Sequence, residues 1–262
     1  MRDLFDLPDG LSHPDPTRRA QIQMKKPLPK RFYTETGVAA GPDGHAIQLD
    51  GRPVKTPAKN ALTVPTAALA DLIRAEWAAQ SEVIDPSTMP VTRLVNTAID
   101  GVAAASEAVF EEILRFAGSD MLCYRAEAPA ELVARQAEAW DPVLDWAAST
   151  LGARFILIEG IMPQEQPPEA IAALSLALRR HSTPLDLAAL HTVTTLTGSA
   201  LLAIAFAEGF RDAEAIWSLA HLEEDWTNEH WGTDAEAEAR RAKRLVEMQA
   251  AVAVFAALRA PA

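Results

Sequence analysis

Residues Val64 to Val102 read VPTAALADLIRAEWAAQSEVIDPSTMPVTRLVNTAIDGV and predict two helices separated by a proline-containing break. Thr66 is a favourable N-cap for the first helix, because its hydroxyl can accept a hydrogen bond from a first-turn amide. Pro86 disfavours helical geometry at the preceding residue, so this helix should end before Asp85. Pro90 suits the first position of the second helix, where an amide proton is not needed. The stretch therefore predicts a joint between two modules.

The second predicted helix has one apolar face and one polar face. The apolar residues recur at helical spacing, at Val91, Leu94, Val95, Ala98, Ile99 and Val102. Thr92, Asn96 and Asp100 lie four residues apart and share a different side of the helix. This polar face predicts hydrogen bonding to the neighbouring module, and a ligand contact through Asn96 and Asp100 is the alternative.

The chain before this stretch carries the signals of short β-strands and tight turns. The turn sequences Gly41-Pro42-Asp43-Gly44 and Asp50-Gly51 flank an alternating run at 46–49, and a return strand at 54–56 follows. Such strands need an apolar cover, because an isolated hairpin is marginally stable in water. We therefore predict a β-rich N-terminal domain over residues 28–88, with the first helix as its cover.

The chain after this stretch is dominated by helical periodicity. Helical patterns begin near Ser106, Pro129, Glu169, Pro184, Gly198, Asp212 and Thr233. The second of these is predicted to be interrupted at Asp141-Pro142, whereas residues 212–225 predict one continuous helix. Residues 89–262 should therefore form a helical domain. The predicted fold class is α+β, with a small antiparallel β-rich N-terminal domain followed by a larger all-α C-terminal domain.

Composition and charge exclude several classes of protein. The formal net charge of −12 repels phosphate backbones, so nucleic acid is an unfavourable partner. The single cysteine, Cys123, permits no intramolecular disulfide, and its apolar context predicts a buried structural thiol. The longest apolar run, at 200–207, is too short to insert into a membrane. Residues 1–27 are rich in proline and predict a flexible arm that resembles neither a secretory signal nor a transit peptide. We therefore expect a soluble, intracellular protein.

Sequence motifs for nucleotide binding and hydrolysis are missing. The chain contains no G-x-x-x-x-G-K-[ST], no G-x-G-x-x-G, no G-x-S-x-G and no H-E-x-x-H. A single cysteine also excludes a multi-cysteine zinc site. These observations give no reason to expect a cofactor or a resident metal.

The densest polar segment runs from Leu222 to Glu238 and combines carboxylates with tryptophan and histidine. Four of its side chains could support a metal-assisted hydrolase, namely Glu223, Asp225, Glu229 and His230. A solvated acidic helix end is a second interpretation. The third is a recognition surface in which Trp226 and Trp231 anchor a partner with apolar and basic groups. Recognition is favoured over catalysis, because no nucleophile or phosphate cradle accompanies the acids.

Six short segments, spread over residues 28 to 250, carry a family resemblance. They are Lys30-Arg31-Phe32-Tyr33, Ile47-Gln48-Leu49-Asp50-Gly51-Arg52-Pro53-Val54-Lys55-Thr56-Pro57, Glu76-Trp77-x-x-Gln80, Met89-Pro90-x-Thr92-x-Leu94-x-Asn96-Thr97-Ala98-Ile99-Asp100, Ser119-Asp120-x-Leu122-Cys123-Tyr124-Arg125 and Trp231-Gly232-x-Asp234-x-Glu236. Together these segments resemble the assembly chaperones of F-type ATP synthase that act on the α subunit of its soluble catalytic head. We call them the signature segments.

The resemblance implies a binding protein with no catalytic activity and no cofactor, and we expect this protein to be a monomer. Such a chaperone would bind the free α subunit transiently, mask the surface that later contacts the β subunit, and dissociate as the α/β ring assembles. The last signature segment places partner contacts at Trp231, Asp234 and Glu236, and we add Asn96 and Asp100 from the polar helix face. A metal-assisted hydrolase and a generic scaffold without client preference are the alternatives.

Overall fold

The computed structural model of the chain describes residues 27–160 and 164–260. These residues fall into two compact units, of which the first ends at Arg93 and the second begins at Leu94. The boundary predicted from the sequence was after residue 88. The predicted flexible arm, residues 1–27, lies outside the described residues apart from its last residue.

The N-terminal unit is built on a small antiparallel sheet. Its strands are β1 (Thr36–Gly41), β2 (Gly44–Leu49), β3 (Arg52–Pro53) and β4 (Thr63–Val64). Strand β2 is central and pairs with each of the other three. Gly44 has φ +117, and a Cβ atom there would lie 2.5 Å from the carbonyl oxygen of Val64. The turn between β1 and β2 therefore requires glycine at this position.

Helix α1 (Ala67–Ala78) covers this sheet, as its apolar stripe predicted. The Thr66 hydroxyl accepts a hydrogen bond from the Leu69 amide at 3.2 Å, which confirms the predicted N-cap. The inward side of the helix buries Leu69, Ala70, Ile73 and Trp77. Helix α2 (Pro90–Asp100) follows a single 3₁₀ turn and begins at the predicted proline. It continues across the division between the two units.

Polar signature residues stabilise the N-terminal unit from inside. Gln80 is only 5% exposed. Its side-chain amide donates to the carbonyl of Glu76 and to the hydroxyl of Thr88, both at 3.0 Å, and its oxygen accepts from the Asp85 amide at 2.7 Å. Arg31 reaches the Gln80 backbone carbonyl at 2.5 Å. Gln80 therefore fixes the chain between α1 and α2.

Glu76 caps the start of α2. Its carboxylate accepts from the Val91 amide at 2.8 Å, the Thr92 amide at 2.7 Å and the Thr92 hydroxyl at 2.6 Å. Burial raises the pKa of Glu76, while these hydrogen bonds act in the opposite direction. The Thr92 hydroxyl is therefore engaged by Glu76, within the N-terminal unit.

The C-terminal unit is helical apart from one short parallel ladder. Its helices are α3 (Ser106–Gly118), α4 (Ala130–Trp146), α5 (Pro168–Leu178), α6 (Pro184–Thr197), α7 (Ala200–Ala207), α8 (Ala213–Ala220), α9 (Leu222–Trp231) and α10 (Ala235–Ala257). The ladder joins β5 (Tyr124–Arg125) to β6 (Ile158–Glu159). The small antiparallel sheet followed by a larger helical region confirms the predicted α+β fold class. Within residues 27–160 and 164–260, no helix is both long and apolar enough to cross a bilayer.

Helix α7 lies at the centre of this unit, and its first six residues are fully buried. Asp120, also fully buried, accepts hydrogen bonds from the Leu122 amide at 3.1 Å and the Leu201 amide at 2.9 Å. Burial raises the pKa of Asp120 to about 6. This carboxyl group therefore joins a signature segment to the first turn of α7. Cys123 is buried, as predicted, and burial raises the pKa of its thiol to about 12.

Two predicted helix boundaries are wrong. Helix α4 passes through Pro142 without the interruption predicted at Asp141-Pro142. A proline inside a helix costs about 3 kcal/mol, and burial of Trp140 and Val143 on either side offsets this cost. The helix predicted over 212–225 is divided at His221, which has φ −109 and ψ 13.

The His221 ring accounts for much of this division. Its Nδ1 atom lies 2.8 Å from the carbonyl oxygen of Trp217, and the two ring centroids are 3.9 Å apart. Both Leu222 and Trp226, which follow the division, are buried. Ile216, before the division, is buried as well. Burial on both sides of His221 therefore sets the new direction of α9, and the sequence contains no helix-breaking residue that would predict it.

Candidate partner-binding surface

The turn between α9 and α10 presents an exposed tryptophan. Helix α9 ends at Trp231, and Gly232 follows with φ +86, a conformation that favours glycine. The Gly232 amide donates to the Asn228 carbonyl oxygen at 2.9 Å and closes the helix. The Trp231 side chain is 77% exposed. A large aromatic group exposed in this way is typical of a surface that binds another molecule.

The neighbouring aromatic residues keep this turn in place. Trp226, one turn earlier, is buried. His230 stacks on it with ring centroids 4.1 Å apart, and the His230 Nδ1 atom lies 2.8 Å from the Trp226 carbonyl oxygen. Of the two tryptophans predicted as anchors, Trp226 therefore packs in the unit and Trp231 alone projects into solvent.

The carboxylates at the start of α10 have two different roles. Asp234 is the N-cap, and its side chain accepts from the Ala237 amide at 2.8 Å. Glu236 has an 82% exposed side chain and lies 2.6 Å from Arg240 Nη1. An exposed pair of this kind contributes at most about 1 kcal/mol. Glu236 can therefore exchange its partner for a cation on another protein at little cost, whereas Asp234 is needed for the helix.

Helix α9 is held in position by two ion pairs that sequence reasoning missed. Arg135 on α4 donates to both oxygens of Glu229, at 2.5 and 2.8 Å. Arg241 on α10 donates to both oxygens of Asp225. The two arginines hold the exposed turn through its flanking helices. No sequence signal links Arg135 to Glu229, because the residues are separated by 94 positions.

The Arg135 pair lowers the pKa of Glu229, chiefly through its side-chain hydrogen bonds. Glu229 therefore stays ionised over the whole neutral range. Both partners remain partly open to water. The pair fixes geometry at this turn more than it stabilises the fold.

The four side chains proposed for a metal-assisted hydrolase do not converge. Glu223 accepts from Gln136 at 2.6 Å. Asp225 and Glu229 bind separate arginines, and His230 bonds to a backbone carbonyl. In the part of the chain that the structure describes, no three His, Cys, Asp or Glu side chains are grouped to hold a metal ion. The hydrolase alternative therefore has no ligand set in these residues.

A cleft of about 290 Å³ opens beside the exposed turn, between α8, α9 and α10. Its charged lining residues are Glu224, Glu238 and Arg241, and Trp217 and Leu245 form apolar walls. A cleft with two carboxylates and one arginine therefore lies next to the helices that flank the turn.

The remaining two predicted contact residues, Asn96 and Asp100, lie on α2. Both are half-buried. The side-chain oxygen of Asn96 is enclosed and has no hydrogen-bond partner among residues 27–160 and 164–260. An enclosed acceptor without a partner is unfavourable unless another group satisfies it. A contact with a partner protein at these two positions stays a prediction.

The chain is similar to known chaperones along most of its length. A crystal structure of a candidate chaperone from Agrobacterium tumefaciens matches with a TM-score of 0.87 and 61% identity, covering 97% of this chain and 96% of that one. The crystal structure of Atp12 from Paracoccus denitrificans matches with a TM-score of 0.83 and 41% identity, covering 88% and 99%. The mitochondrial protein atp12 of Schizosaccharomyces pombe is 26% identical over 227 residues, covering 82% of this chain and 78% of that protein.

The matches agree with the signature segments. Residues 30–148 match the family described as ATP12 chaperone protein, and five of the six signature segments lie in that range. The Paracoccus protein extends the likeness over the C-terminal unit at 41% identity. The chain therefore belongs to the ATP12 chaperone family, the chaperones of ATP synthase assembly that its signature segments resemble.

Proposed function

We propose that this chain binds the free α subunit of F-type ATP synthase, masks its assembly interface and promotes formation of the α/β catalytic head. An unassembled ring subunit exposes an apolar interface with a polar rim, and such surfaces aggregate. A chaperone that covers the interface and dissociates when the β subunit binds would prevent this aggregation. Membership of the ATP12 family supports the proposal.

The exposed side chain of Trp231 is the observation that carries the proposal. Buried tryptophans at the centre of an interface are frequent hot spots of binding energy. Asp234 and Glu236 follow Trp231 closely in the sequence and add negative charge to this part of the surface, which would favour a client surface that presents lysine or arginine. The proposed client surface is therefore apolar with a basic rim, and Asn96 and Asp100 are proposed as secondary contacts.

The weakness of the exposed charge pairs suits a transient complex. Glu236 and Arg240 are both open to solvent, so their interaction is screened by salt. A client cation that replaced Arg240 would gain a similarly modest energy. Affinity would then be high enough to protect the free subunit and low enough for the β subunit to displace the chaperone.

The proposed activity is binding alone, by a monomer, without catalysis, cofactor or nucleic acid. The net charge of −12 supports the exclusion of nucleic acid. We propose a cytoplasmic location in a bacterium, in keeping with the bacterial relatives, or the mitochondrial matrix in a eukaryote, in keeping with the fission yeast relative.

A co-purification experiment tests this proposal. The tagged chain is co-expressed with the α subunit in the absence of β, and captured α subunit is measured for the wild type and for Glu236→Gln. We expect about two- to fivefold less capture by the variant, the range of one exposed charge pair. Glu82→Gln, which removes an exposed carboxylate from the N-terminal unit, is the charge-matched control. Undiminished capture by Glu236→Gln would exclude this residue from the site.

The same material separates a specific chaperone from a generic scaffold. The β subunit, expressed alone with the tagged chain, should not be captured. When purified β subunit is added to the complex of the chain with α subunit, the α subunit should be released. Equal capture of both subunits would contradict the proposed client preference.

A further inference from the structure

A groove on the C-terminal unit lies between α3 and α5 and has a volume of about 530 Å³. Leu114 and Gly118 line it from α3, and Pro168, Ile171 and Ala172 line it from α5. Its walls are therefore mostly apolar. No element of the exposed turn between α9 and α10 contributes to its lining.

Exposed apolar side chains accompany this groove. Leu176, one helical turn after Ala172 on α5, is 71% exposed. Ile156 and Leu157 are exposed on a neighbouring segment, which is held to the groove edge because Gln166 bonds to both the amide and the carbonyl of Ile156, at 2.9 and 3.0 Å. Three of the seven exposed large apolar residues in the described chain therefore lie at or beside this groove.

Packing within the unit does not require Leu176. The inward side of α5 buries Ala170, Leu174, Ala177 and Leu178, and Leu176 lies on the opposite side. A polar side chain would serve the fold equally well there. Exposed leucines beside an apolar groove mark a binding surface more often than a structural need.

The charges along the groove are unevenly distributed. At one end, Arg179 lies 3.6 Å from Glu107, so the two charges compensate each other. At the other end, Glu165 lines the groove and Glu169 lies in the first turn of α5. Neither forms an ion pair with any residue that the structure describes. The groove is therefore lined mainly by apolar groups, with the polar Gln166 and Ser175 among them, and is negative at the start of α5.

We propose that this groove is a second docking site, and that its occupant is an amphipathic helix of a partner protein. The apolar face of that helix would contact Leu114, Ile171 and Leu176, as in other helix-in-groove complexes. Lysine or arginine at one end of it would lie near Glu165 and Glu169. The proposal is independent of the α9–α10 surface and of the identity of the client bound there.

A fluorescent label tests the proposal on the full chain. Cys123 is buried and its thiol has a pKa of about 12, so it should not react with a thiol-reactive dye. The dye should therefore label only the exposed cysteine introduced by Leu176→Cys. An environment-sensitive dye at this position is titrated with a synthetic amphipathic helix made of leucine and lysine. A peptide with the same leucine face and glutamate in place of lysine is the matched probe. We expect a saturable emission change with the lysine peptide. The glutamate peptide should bind at least about tenfold more weakly.

A second label controls for non-specific adhesion. Val246 on α10 is also apolar and is 44% exposed, so Val246→Cys carries the same dye at a similar surface position. The lysine peptide should change the emission of the dye at position 246 only weakly and without saturation. An equal response at the two positions, or equal affinity for the two peptides, would overturn the proposal.

Two substitutions locate the binding on the groove. Ala172→Lys places a cation on an exposed groove position and should weaken binding of the lysine peptide roughly tenfold. Ala134→Lys, on an exposed position of α4, is the matched control and should have little effect. Glu165→Gln should weaken binding about two- to fivefold. Unchanged affinity of Ala172→Lys would overturn the proposal, whereas the result with Glu236→Gln decides only the α9–α10 site.

Discussion

The signature segments place their polar and aromatic residues in two opposite environments. In the N-terminal unit, Gln80 is 5% exposed and makes three side-chain hydrogen bonds. At the α9–α10 turn, Trp231 is 77% exposed and the Glu236 side chain is 82% exposed. Loss of the buried group would leave enclosed donors and acceptors unsatisfied, whereas loss of the exposed groups would leave the fold almost unchanged.

The difference predicts two physical origins for one family signature. Glu76, Gln80 and Asp120 are required because backbone amides and carbonyls inside the molecule need them as partners. Trp231 and Glu236 satisfy no such need. Their place in the signature is better explained by an external partner, and the predictions that follow test this separation from the largest expected effect to the smallest.

The largest effect is expected for a buried signature residue, Asp120, whose contribution to stability should depend on pH. Its pKa is about 6 in the folded chain and near 3.8 when unfolded, so the folded state binds the proton more tightly. The contribution to stability is full below pH 4 and is lost as the pH rises to about 6, by up to about 3 kcal/mol. Urea unfolding at a series of pH values should show the stability difference between wild type and Asp120→Asn falling over this range and levelling off above pH 7. A difference that is constant with pH would contradict the prediction.

Gln80→Ala should lower the free energy of unfolding by about 2 kcal/mol, because it removes a buried side chain and leaves the partly buried amide of Asp85 without its acceptor. Urea unfolding of the variant measures this loss. Capture of the α subunit per folded molecule should be unchanged. A variant that is fully stable but fails to capture the client would place Gln80 in the binding surface and remove the distinction between the two regions.

Trp231→Ala should show the opposite pattern. We expect α-subunit capture to fall at least about tenfold, as at an interface hot spot, with unfolding changed by less than about 0.5 kcal/mol. Val246→Ala removes another exposed apolar side chain and is the control. The prediction fails if Trp231→Ala is destabilised as strongly as Gln80→Ala, since Trp231 would then serve the fold.

Arg240→Gln should have the smallest effect on α-subunit capture, and the predicted direction is a rise or no change. It removes the cation that pairs with Glu236 at 2.6 Å, so Glu236 becomes more available to a client cation. Capture should therefore stay equal or rise by up to about fivefold, with stability nearly unchanged. A marked fall in capture would mean that Arg240, and not Glu236, contacts the client.

Local patterns predicted the start of helices α1 and α2 well. The Thr66 cap and the Pro90 start follow from the chemistry of one or two residues. The passage of α4 through Pro142 and the division at His221 were not predictable in this way. Both depend on burial of Trp140, Leu222 and Trp226 against distant parts of the chain, which a local pattern does not contain.

For the candidate site too, some features were predicted from the sequence and others required the tertiary structure. The resemblance carried by the last signature segment predicted partner contacts at Trp231, Asp234 and Glu236. Only the tertiary structure showed that Trp231 and Glu236 are exposed whereas Asp234 caps a helix. It also revealed the ion pair between Glu229 and Arg135, which are 94 positions apart.

The sequence by itself thus determined the α+β order of the chain, the caps of its first helices and its family, because these depend on periodicity and on neighbouring residues. The tertiary structure decided which polar groups are enclosed and which are open to a partner. The physical reason is that burial and ion pairing depend on contacts between residues far apart in sequence, and such contacts exist only after the chain has folded.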